Sequence, residues 1–244
     1  MSRIFITGSA DGLGSLAAKL LISQGHQVVL HARNEQRAKE ALAKIPGTEH
    51  VLIADLSDLE QTKKLASDVN SLGSFDAIIH NAGVYQASSK LIFTVNTLAP
   101  YVLTCLIQKP KRLVYLSSGM HMQGDPSLNH FELNATRISY SDSKLHDVIL
   151  SFTVARRWPT VLSNAVNPGW VPTKMGGSGA PDDLDEGVET QAWLAVSEDT
   201  QAKVSGHYFR KKKQAQHRPE ASDMAVQEKF LSLCEQITGI RFPE

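Results

Sequence analysis

Cysteine is scarce in this chain, and its placement excludes two kinds of site. Cys105 and Cys234 are the only two cysteines in 244 residues, they lie far apart, and each sits in helix-like sequence. Two such residues have neither the number nor the spacing of a disulfide framework or a structural metal cluster. We therefore expect buried free thiols, a reducing compartment and no bound metal.

The chain also lacks an excess of charge of either sign and a long apolar run. Its 25 basic residues balance its 25 acidic ones, so no overall basic field favours nucleic acid or an anionic membrane. No uninterrupted apolar run reaches the roughly 18 residues of a membrane-spanning helix. The N-terminal MSRIFITG enters a strand-like run at once, which leaves no room for a signal peptide. These observations predict a cytoplasmic protein with no nucleic-acid or membrane partner.

Short apolar, β-branched runs alternate with helix-like stretches along the chain. Each run is apolar on both faces, as in strands covered by helices on each side; the runs lie at 3–7, 27–32, 50–55, 75–80, 112–118 and 160–167. This alternation predicts an α/β, doubly wound, mostly parallel sheet with right-handed crossovers. With 42% hydrophobic residues and no dividing linker, residues 1–244 are predicted to form a single domain.

A glycine-rich turn, TGSADGLG (7–14), directly follows the first predicted strand and precedes the first predicted helix. Gly8 lets the chain turn off the strand, and small residues let backbone N–H groups approach a pyrophosphate at the helix N-terminus. The spacing is GxxxGxG rather than the GxGxxG of the general dinucleotide fingerprint. The turn predicts a dinucleotide site, and a glycine-rich turn without a ligand is the alternative.

Two stretches place a tyrosine four residues before a lysine, namely YSDSK (140–144) and YFRKK (208–212). Residues 140–158 have helical patterning, and positions i and i+4 of a helix share one face. Tyr208 lies instead in a predicted strand, where four residues span about 13 Å. YSDSK is therefore the candidate catalytic pair. The basic run at 210–213 is predicted to be a solvated surface, with phosphate binding as the alternative.

The ordered motifs resemble those of the short-chain dehydrogenase/reductase family, single-domain branch, whose fold is Rossmann-type. TGxxxGxG matches the family's cofactor loop, NAG (81–83) follows the fourth predicted strand, and PG (168–169) follows the sixth. The resemblance covers nearly the whole chain. It implies an NAD(P)-dependent oxidoreductase that interconverts a carbonyl and an alcohol on a small molecule. The larger C-terminal domain and GxxGxxG loop of nucleotide-sugar epimerases are both missing.

The resemblance also assigns individual residues. The catalytic residues that it implies are Asn96, Ser118, Tyr140 and Lys144. The cofactor-binding residues that it implies, together with the corner residue Arg33, are Gly8, Ser9, Asp11, Gly12, Leu13, Gly14, Arg33, Asp55, Leu56, Asn81, Ala82, Gly83, Tyr140, Lys144, Pro168, Gly169, Val171 and Thr173.

The tyrosine and lysine suit the implied chemistry. Carbonyl reduction needs a proton donor at the oxygen while hydride adds to the carbon. A free tyrosine has a pKa of about 10, and an ammonium group beside it lowers that pKa. Tyr140 is therefore the predicted general acid/base. By resemblance, Lys144 also binds the nicotinamide ribose, Ser118 (or its alternative Ser117) binds the substrate oxygen, and Asn96 supports a water relay.

The corner after the second predicted strand bears on the choice of cofactor. An acid about 20 residues past the glycine turn favours NAD, whereas an arginine accommodates the 2′-phosphate of NADP. The strand ends VLHARNEQR, with Arg33 at the corner and no carboxylate before Glu35. Arg33 favours NADP(H) over NAD(H) through a charge-assisted contact, although Asp11 in the glycine turn argues mildly against it. An Arg33 that is merely solvated is the alternative.

Several segments depart from the family's pattern. The chain is short on both sides of Asn96, where relatives build an interface helix, which argues against the usual tetramer and leaves a homo-oligomer open. The substrate pocket is predicted from the insert 119–139, the loop 174–187 and the C-terminal segment, with Trp170 and Met175 as candidate walls. A catalytically silent NADP(H)-binding sensor or scaffold is the alternative function, and the intact catalytic set disfavours it.

Overall fold

Eight strands form one sheet in the computed structural model, which describes residues 1–131 and 137–244. They are β1 (Arg3–Ile6), β2 (Gln27–Ala32), β3 (His50–Ile53), β4 (Ala77–His80), β5 (Arg112–Leu116), β6 (Leu162–Val166), β7 (His207–Arg210) and β8 (Lys213–Gln214). Their spatial order is β3-β2-β1-β4-β5-β6-β7-β8, and only β8 runs antiparallel to its neighbour in the described sheet. The strand order reverses on the two sides of β1, which makes the carboxyl edge there a natural ligand crevice. The predicted doubly wound fold is confirmed.

Helices cover both faces of this sheet. They are α1 (Gly12–Ser23), α2 (Glu35–Lys44), α3 (Leu59–Ser71), α4 (Ser89–Phe93), α5 (Ala99–Leu106), α6 (Tyr140–Arg157), α7 (Leu184–Val196) and α8 (Met224–Thr238). Because successive strand side chains point to opposite faces, Phe5 of β1 enters the core beneath α3, α5, α6 and α8. Its neighbours Ile4 and Ile6 enter the second core beneath α1, α2 and α7.

Capping side chains fix where the first three helices begin. Asp11, Asn34 and Asp58 each accept a backbone N–H from the first turn of α1, α2 and α3 respectively. Such caps satisfy donors that the helix itself leaves unpaired. They therefore set the turns that connect β1, β2 and β3 to their helices, all at the carboxyl edge of the sheet.

One helical stretch corrects the prediction that no segment could span a membrane. Ser89–Leu106 has 18 residues and a mean hydropathy of 1.2, which is enough by length and composition alone. It comprises α4, a π-helical turn (Thr94–Leu98) and α5. Of this stretch 72% is buried inside the protein, where α5 packs against α3. The core helix of a globular domain passes the same test, so the burial favours a core role.

The predicted substrate insert contributes to the core as well as to the cleft, which Gly119 and Met120 line. It begins with a 3₁₀ turn (Gly119–Gln123) after β5. Phe131 then packs edge-on against Phe93 and Phe230, with ring centroids 4.7 and 5.4 Å away. The part of the insert at 132–136 lies outside the described residues. Phe131 thus joins the insert to α8 and to the end of α4.

Candidate active site

A cleft of about 1270 Å³ lies along the carboxyl ends of the parallel strands. Its walls are formed mainly by the segments that follow β1, β2, β3, β4, β5 and β6. Ligands of doubly wound folds bind at this edge because the helix N-termini and the connecting turns converge there. The cleft is therefore the candidate site.

Close backbone approach explains two of the three glycines in the turn after β1. Gly8 has a φ of +63°, and a Cβ there would lie 2.8 Å from the Cα of Ala82. A Cβ on Gly14 would lie 2.4 Å from Nδ2 of Asn81 and 2.8 Å from the carbonyl oxygen of Gly8. Neither position has room for a side chain, so the turn packs directly onto the end of β4.

Asn81 and Thr7 join the glycine turn to the end of β4. Nδ2 of Asn81 donates to the carbonyl oxygens of Thr7 (2.9 Å) and Gly8 (3.1 Å). The hydroxyl of Thr7 accepts from the backbone N–H groups of Asn81 and Ala82, each at 3.0 Å. The amide of Asn81 is thus engaged with the turn, and its contribution to a ligand would be to hold the turn in shape.

A buried histidine supports the turn from the β2 side. The backbone N–H of Gly8 donates to Nδ1 of His31 (2.9 Å), and Nε2 of His31 lies 2.9 Å from the carbonyl oxygen of Ala54. Burial lowers the pKa of His31 to about 4, which keeps Nδ1 free to accept at neutral pH. The hydroxyl of Ser9 accepts from the N–H of His31 at 2.9 Å and donates to Ile6 at 2.7 Å.

Asp11 carries two ion pairs as well as the cap of α1. Its carboxylate accepts from Arg37 of α2 (2.9 Å) and from Lys174, which follows β6. Hydrogen bonds from Lys174 and then Arg37 hold the pKa of Asp11 well below its usual range. This contact joins the glycine turn to the segment that follows β6, and both residues line the cleft.

The ends of β2 and β3 form the far end of the cleft. Arg33 is exposed there, and no carboxylate in the described part of the chain pairs with it. Asp55 accepts from the backbone N–H (2.9 Å) and the hydroxyl (2.7 Å) of Ser57. The cleft therefore presents a cation at one corner and a carboxylate beside it.

A capping box places Tyr140 at the start of α6. The hydroxyl of Ser139 accepts from the N–H of Asp142 (3.1 Å), and the Asp142 carboxylate accepts from the N–H of Ser139 (2.7 Å). These reciprocal bonds start the helix at Tyr140. The tyrosine side chain lines the cleft and packs edge-on against Tyr85, with 4.8 Å between ring centroids.

Lys144 lies one turn further along α6, as the spacing predicts. Its Nζ is 5.6 Å from the centroid of the Tyr140 ring. It donates to the carbonyl oxygen of Leu116 (2.7 Å) and to Oδ2 of Asp147 (2.8 Å). Burial lowers the pKa of Lys144, but the charges of Asp147 and Tyr140 outweigh it, so the net pKa is above its ordinary value. A fixed ammonium group thus lies beside the phenol.

The two serines at the end of β5 have different partners. The buried hydroxyl of Ser117 donates to the carbonyl oxygen of Lys144 (2.7 Å), which ties β5 to α6. Ser118 is less buried and accepts from the N–H of Met120 at 3.2 Å. Its hydroxyl hydrogen is thereby left for another acceptor. This arrangement favours Ser118 over Ser117 as the residue that meets a substrate.

Asn96 lies beneath the cleft in the π-helical turn and is 1% exposed. Its Oδ1 accepts from the N–H of Val84 (2.8 Å), and its Nδ2 donates to the Val84 carbonyl oxygen and to Ser143 (3.0 Å each). π-Helical turns often occur at functional sites. Here the side chain of Asn96 fixes the segment after NAG, and the water relay stays a prediction.

The cleft also has large apolar side chains in its walls. Tyr85, Met120, Trp170 and Met175 all line it, and they are 40, 36, 59 and 46% exposed. Trp170 and Met175 thus lie where they were predicted. The lining extends no further along the chain than Arg210, so the C-terminal segment, predicted to form part of the pocket, packs against α6 instead.

The rival tyrosine–lysine pair does not form a site. Tyr208 is 3% exposed and faces the core beside His121, with 4.4 Å between ring centroids. Lys212 lies in the turn between β7 and β8 with a φ of +57°, and its Nζ binds Glu189 at 2.7 Å. Its neighbour Lys211 binds Glu186 at 2.7 Å. Two lysines of the basic run therefore form surface ion pairs with α7, whereas Arg210 pairs with Asp182 and lines the cleft.

Comparison with known proteins shows the family. A family model described as short chain dehydrogenase matches residues 2–108. An uncharacterized oxidoreductase of Emericella nidulans is 44% identical over 256 residues, covering 100% of this chain and 99% of the relative. The short-chain dehydrogenase chyC of Penicillium rubens is 42% identical over 258 residues, covering 100% of both. The chain belongs to the short-chain dehydrogenase/reductase family. It is therefore an NAD(P)-dependent oxidoreductase.

Solved structures share the fold of this short-chain dehydrogenase. A protein from Mycobacterium paratuberculosis superimposes with a TM-score of 0.84 at 22% identity, covering 100% of this chain and 96% of the other. A blue fluorescent protein from a metagenomic library, in complex with NADPH, gives a TM-score of 0.71 at 19% identity. That alignment covers 86% of this chain and 95% of the other.

Most of the predicted site residues of the dehydrogenase lie together in the cleft. Ser9, Gly14 and Asn96 are the exceptions, since each is buried behind the surface that a ligand would touch. The predicted residues that line the cleft are Gly8, Asp11, Gly12, Leu13, Arg33, Asp55, Leu56, Asn81, Ala82, Gly83, Ser118, Tyr140, Lys144, Pro168, Gly169, Val171 and Thr173.

Sequence reasoning missed four residues of the site. Arg37 follows Arg33 by four residues on α2, a helical spacing that could have identified it. Asp147 follows Lys144 by three residues, which carries the same kind of signal. Nothing in the sequence indicates that His31 binds Gly8 or that Lys174 binds Asp11, because these contacts join distant segments.

Replacing Gly14 by alanine tests the close contact between the turn and β4. We expect Gly14→Ala to raise the Kd for NADPH at least tenfold (about 1.4 kcal/mol), because its Cβ would displace Asn81 and the Gly8 carbonyl group. Gly179→Ala is the control, since a Cβ there meets nothing within 4 Å. Fluorescence titration with NADPH and thermal unfolding measure both variants. Unchanged binding by Gly14→Ala would contradict the packing argument.

Proposed function

We propose that this dehydrogenase uses NADP(H) to interconvert an apolar, uncharged carbonyl compound and its alcohol, with Tyr140 as general acid/base. The observation that carries the proposal is the placement of Tyr140 beside the fixed Lys144 ammonium group, with Ser118 lining the same cleft. The glycine turn lies at the other end of this cavity. Cofactor site and candidate proton donor thus share one continuous space.

The glycine turn fits a dinucleotide. Gly8 and Gly14 leave no side chains between the backbone and β4, and α1 directs the first N–H groups of its helix toward the cleft. The positive end of a helix dipole favours a pyrophosphate there. Asp11 would oppose an anion, but Arg37 and Lys174 neutralise its charge. The N–H of Gly12 binds the Asp11 cap, so the group that would hold the cofactor's phosphates here is the backbone N–H of Leu13.

The catalytic residues would act on the substrate oxygen. When bound, NADPH supplies the hydride that adds to the carbonyl carbon. Ser118 donates a hydrogen bond to the carbonyl oxygen, and the hydroxyl of Tyr140 donates its proton to the same oxygen. The positive charge of Lys144 then stabilises the phenolate that remains on Tyr140. In alcohol oxidation the phenolate accepts the proton.

Two arginines support the choice of NADP(H). Arg33 lines the corner after β2 without a carboxylate partner among the described residues, and Arg37 lies beside it on α2. A guanidinium group binds a phosphate through two parallel hydrogen bonds, which a ribose hydroxyl cannot match. Because Arg37 also neutralises Asp11, the acid of the glycine turn no longer argues against a 2′-phosphate. The structural relative in complex with NADPH agrees with this choice.

The charges near the substrate end are paired with one another. Asp182 accepts from Arg210 (3.1 Å) and from the backbone N–H of Trp170 (2.7 Å), and Lys174 binds Asp11. The remaining wall is apolar and includes Met120 and the exposed indole of Trp170. A charged substrate would lose its hydration there without gaining a partner. This arrangement favours a neutral substrate with a large apolar or aromatic body.

Removing the hydroxyl of Tyr140 tests the acid/base assignment. We expect Tyr140→Phe to reduce kcat for NADPH-dependent carbonyl reduction by roughly 10²- to 10⁴-fold, because the proton donor is lost. Tyr208→Phe is the matched control, since this second tyrosine–lysine stretch lies outside the cleft. Steady-state kinetics over a panel of aldehydes, ketones and quinones provide the measurement. Full turnover by Tyr140→Phe would refute the mechanism, and tight NADPH binding without any wild-type turnover would favour a silent sensor.

Replacing Arg33 tests the cofactor assignment. We expect Arg33→Ala to raise KM for NADPH about tenfold or more and to leave KM for NADH nearly unchanged, because only NADPH carries the 2′-phosphate. Lys39→Ala, which removes an exposed cation from the same helix region, should alter neither constant. Initial rates measured with NADPH and with NADH give the two KM values for each variant. Equal effects on NADPH and NADH would show that Arg33 does not bind the phosphate.

A pair of matched substrates tests the apolar pocket. We expect an aromatic ketone to have a kcat/KM at least about tenfold higher than its carboxylate-bearing analogue, because the pocket would desolvate the carboxylate without a partner. Trp170→Ala should raise KM for the neutral ketone, since it removes part of the wall. A preference for the carboxylate would contradict the proposed substrate class without affecting the assignment of Tyr140.

A further inference from the structure

The ion pair between Lys144 and Asp147 is buried, in contrast to the surface pairs of the protein. The two side chains are 6 and 4% exposed, whereas those of Lys64 and Asp68, a comparable pair on α3, are 72 and 33% exposed. Taking two charges out of water costs more than a surface pair does, and apolar residues can replace such a pair without loss of stability. Because Lys144 belongs to the proposed catalytic pair, its buried ammonium group needs a partner, and Asp147 supplies it.

Asp147 restricts the position of the catalytic ammonium group. Nζ of Lys144 has three hydrogens, and it donates to Oδ2 of Asp147 (2.8 Å) and to the carbonyl oxygen of Leu116 (2.7 Å). One hydrogen remains for the cleft, which Lys144 lines together with Tyr140. The two bonds anchor Nζ to α6 and to β5 at the same time.

We propose that Asp147 is a positioning residue that fixes the Lys144 ammonium group and offsets its charge, so that Tyr140 keeps its proton to a higher pH than an unpaired lysine would allow. This inference rests on the proposed role of Tyr140. A lone ammonium group would favour the phenolate strongly. The carboxylate of Asp147 reduces the positive field of the ammonium group and leaves the third hydrogen of Nζ for the cleft. The expected consequence is an enzyme with more of the protonated tyrosine that carbonyl reduction requires.

The ionisation state of Asp147 sets the pH range in which its charge offsets that of Lys144. Burial raises the pKa of Asp147, and the charge of Lys144 opposes this only in part, so that the pKa is about 6. Below that pH the carboxyl group binds a proton and the offset is lost. Above it the carboxylate is charged and the offset is present, which covers neutral pH.

The neighbouring histidines do not compete for this role. His80 on β4, His121 in the turn after β5 and His146 on α6 are all buried. Burial lowers the pKa of His80 to about 3 and that of His146 to about 4, and it also lowers the pKa of His121. The rings of His80 and His146 therefore stay neutral at neutral pH.

The other groups packed around the pair are also constant in charge near neutral pH. Burial raises the pKa values of Tyr115 on β5 and Tyr208 on β7, and it raises that of Cys105 on α5 to about 12. Asp142 is bound in the cap of α6, and Arg210 is paired with Asp182. Tyr85, which stacks edge-on against Tyr140, is partly exposed. Among these groups, Asp147 is the carboxylate that binds the Lys144 ammonium group directly.

The pH profile of Asp147→Asn tests the proposal. Asparagine keeps the size and an acceptor for Nζ but removes the charge. We expect the alkaline limb of kcat/KM for carbonyl reduction to move to lower pH by about one unit, the effect of a unit charge two helical turns away at an interior dielectric of about 20. Alcohol oxidation should gain its active phenolate at correspondingly lower pH.

Three further variants separate charge from structure. Asp68→Asn removes the carboxylate of the surface pair on α3 and should leave the profile unchanged. Asp147→Glu retains the charge and should restore the position of the limb, even where altered geometry lowers kcat. Asp147→Ser removes the same charge with a smaller side chain and replaces the asparagine variant if that variant does not fold. Thermal unfolding and NADPH titration verify that each variant is folded.

The outcomes distinguish this inference from the proposed function. A fall in kcat at every pH with no movement of the limb in Asp147→Asn or Asp147→Ser would overturn the electrostatic role of Asp147. Such a result would leave the assignment of Tyr140 intact. Conversely, a wild-type enzyme whose alkaline limb persists in Tyr140→Phe would refute the proposed function first, because the limb would then belong to another group.

Discussion

The contact between the glycine turn and the end of β4 determines the shape of the cleft. Gly8 and Gly14 leave no room for side chains, so Asn81 can bind the carbonyl oxygens of the turn directly. β4 is also the strand that lies next to β5, whose end carries Ser118. A displacement of the glycine turn would therefore shift β4 and, through the β4–β5 pairing, the position of Ser118 on the other side of the cleft.

Helix α6, which carries the proposed catalytic residues Tyr140 and Lys144, is buried along nearly its whole length. It packs between β5, β6 and α8, so a rigid element supports Tyr140 and Lys144. A helix in this environment offers its charged residues little water. The amine of Lys144 therefore needs a carbonyl group and a carboxylate, and both are supplied within 2.8 Å. The burial that gives precision to the site is thus the reason why its charges must be paired.

The sequence predicted the fold, and it predicted many of the residues that line the candidate cleft, for a definite physical reason. Parallel strands buried on both faces are apolar throughout, so they can be recognised as apolar runs in the sequence. Glycines are required where the backbone has no space for a side chain, and their GxxxGxG spacing is visible in the sequence. Interactions between distant segments leave no such pattern, and so the contacts of His31 with Gly8 and of Lys174 with Asp11 were not predicted. The C-terminal segment was predicted to line the substrate pocket, but its helix α8 contributes Phe230 to the core beside Phe131. The sequence does not distinguish a phenylalanine in the core from one that lines a pocket.

The segment after β6 joins the two halves of the cleft. Lys174 extends to the glycine turn and binds Asp11, while Trp170 and Met175 form the apolar wall at the substrate end. Asp182 fixes this segment by accepting from the N–H of Trp170, and it leaves no space for a side chain at Gly169. The same few residues therefore neutralise the charge beside the dinucleotide turn and shape the apolar pocket. Since both functions depend on one backbone path, a substitution that moves Asp182 would alter cofactor and substrate binding together.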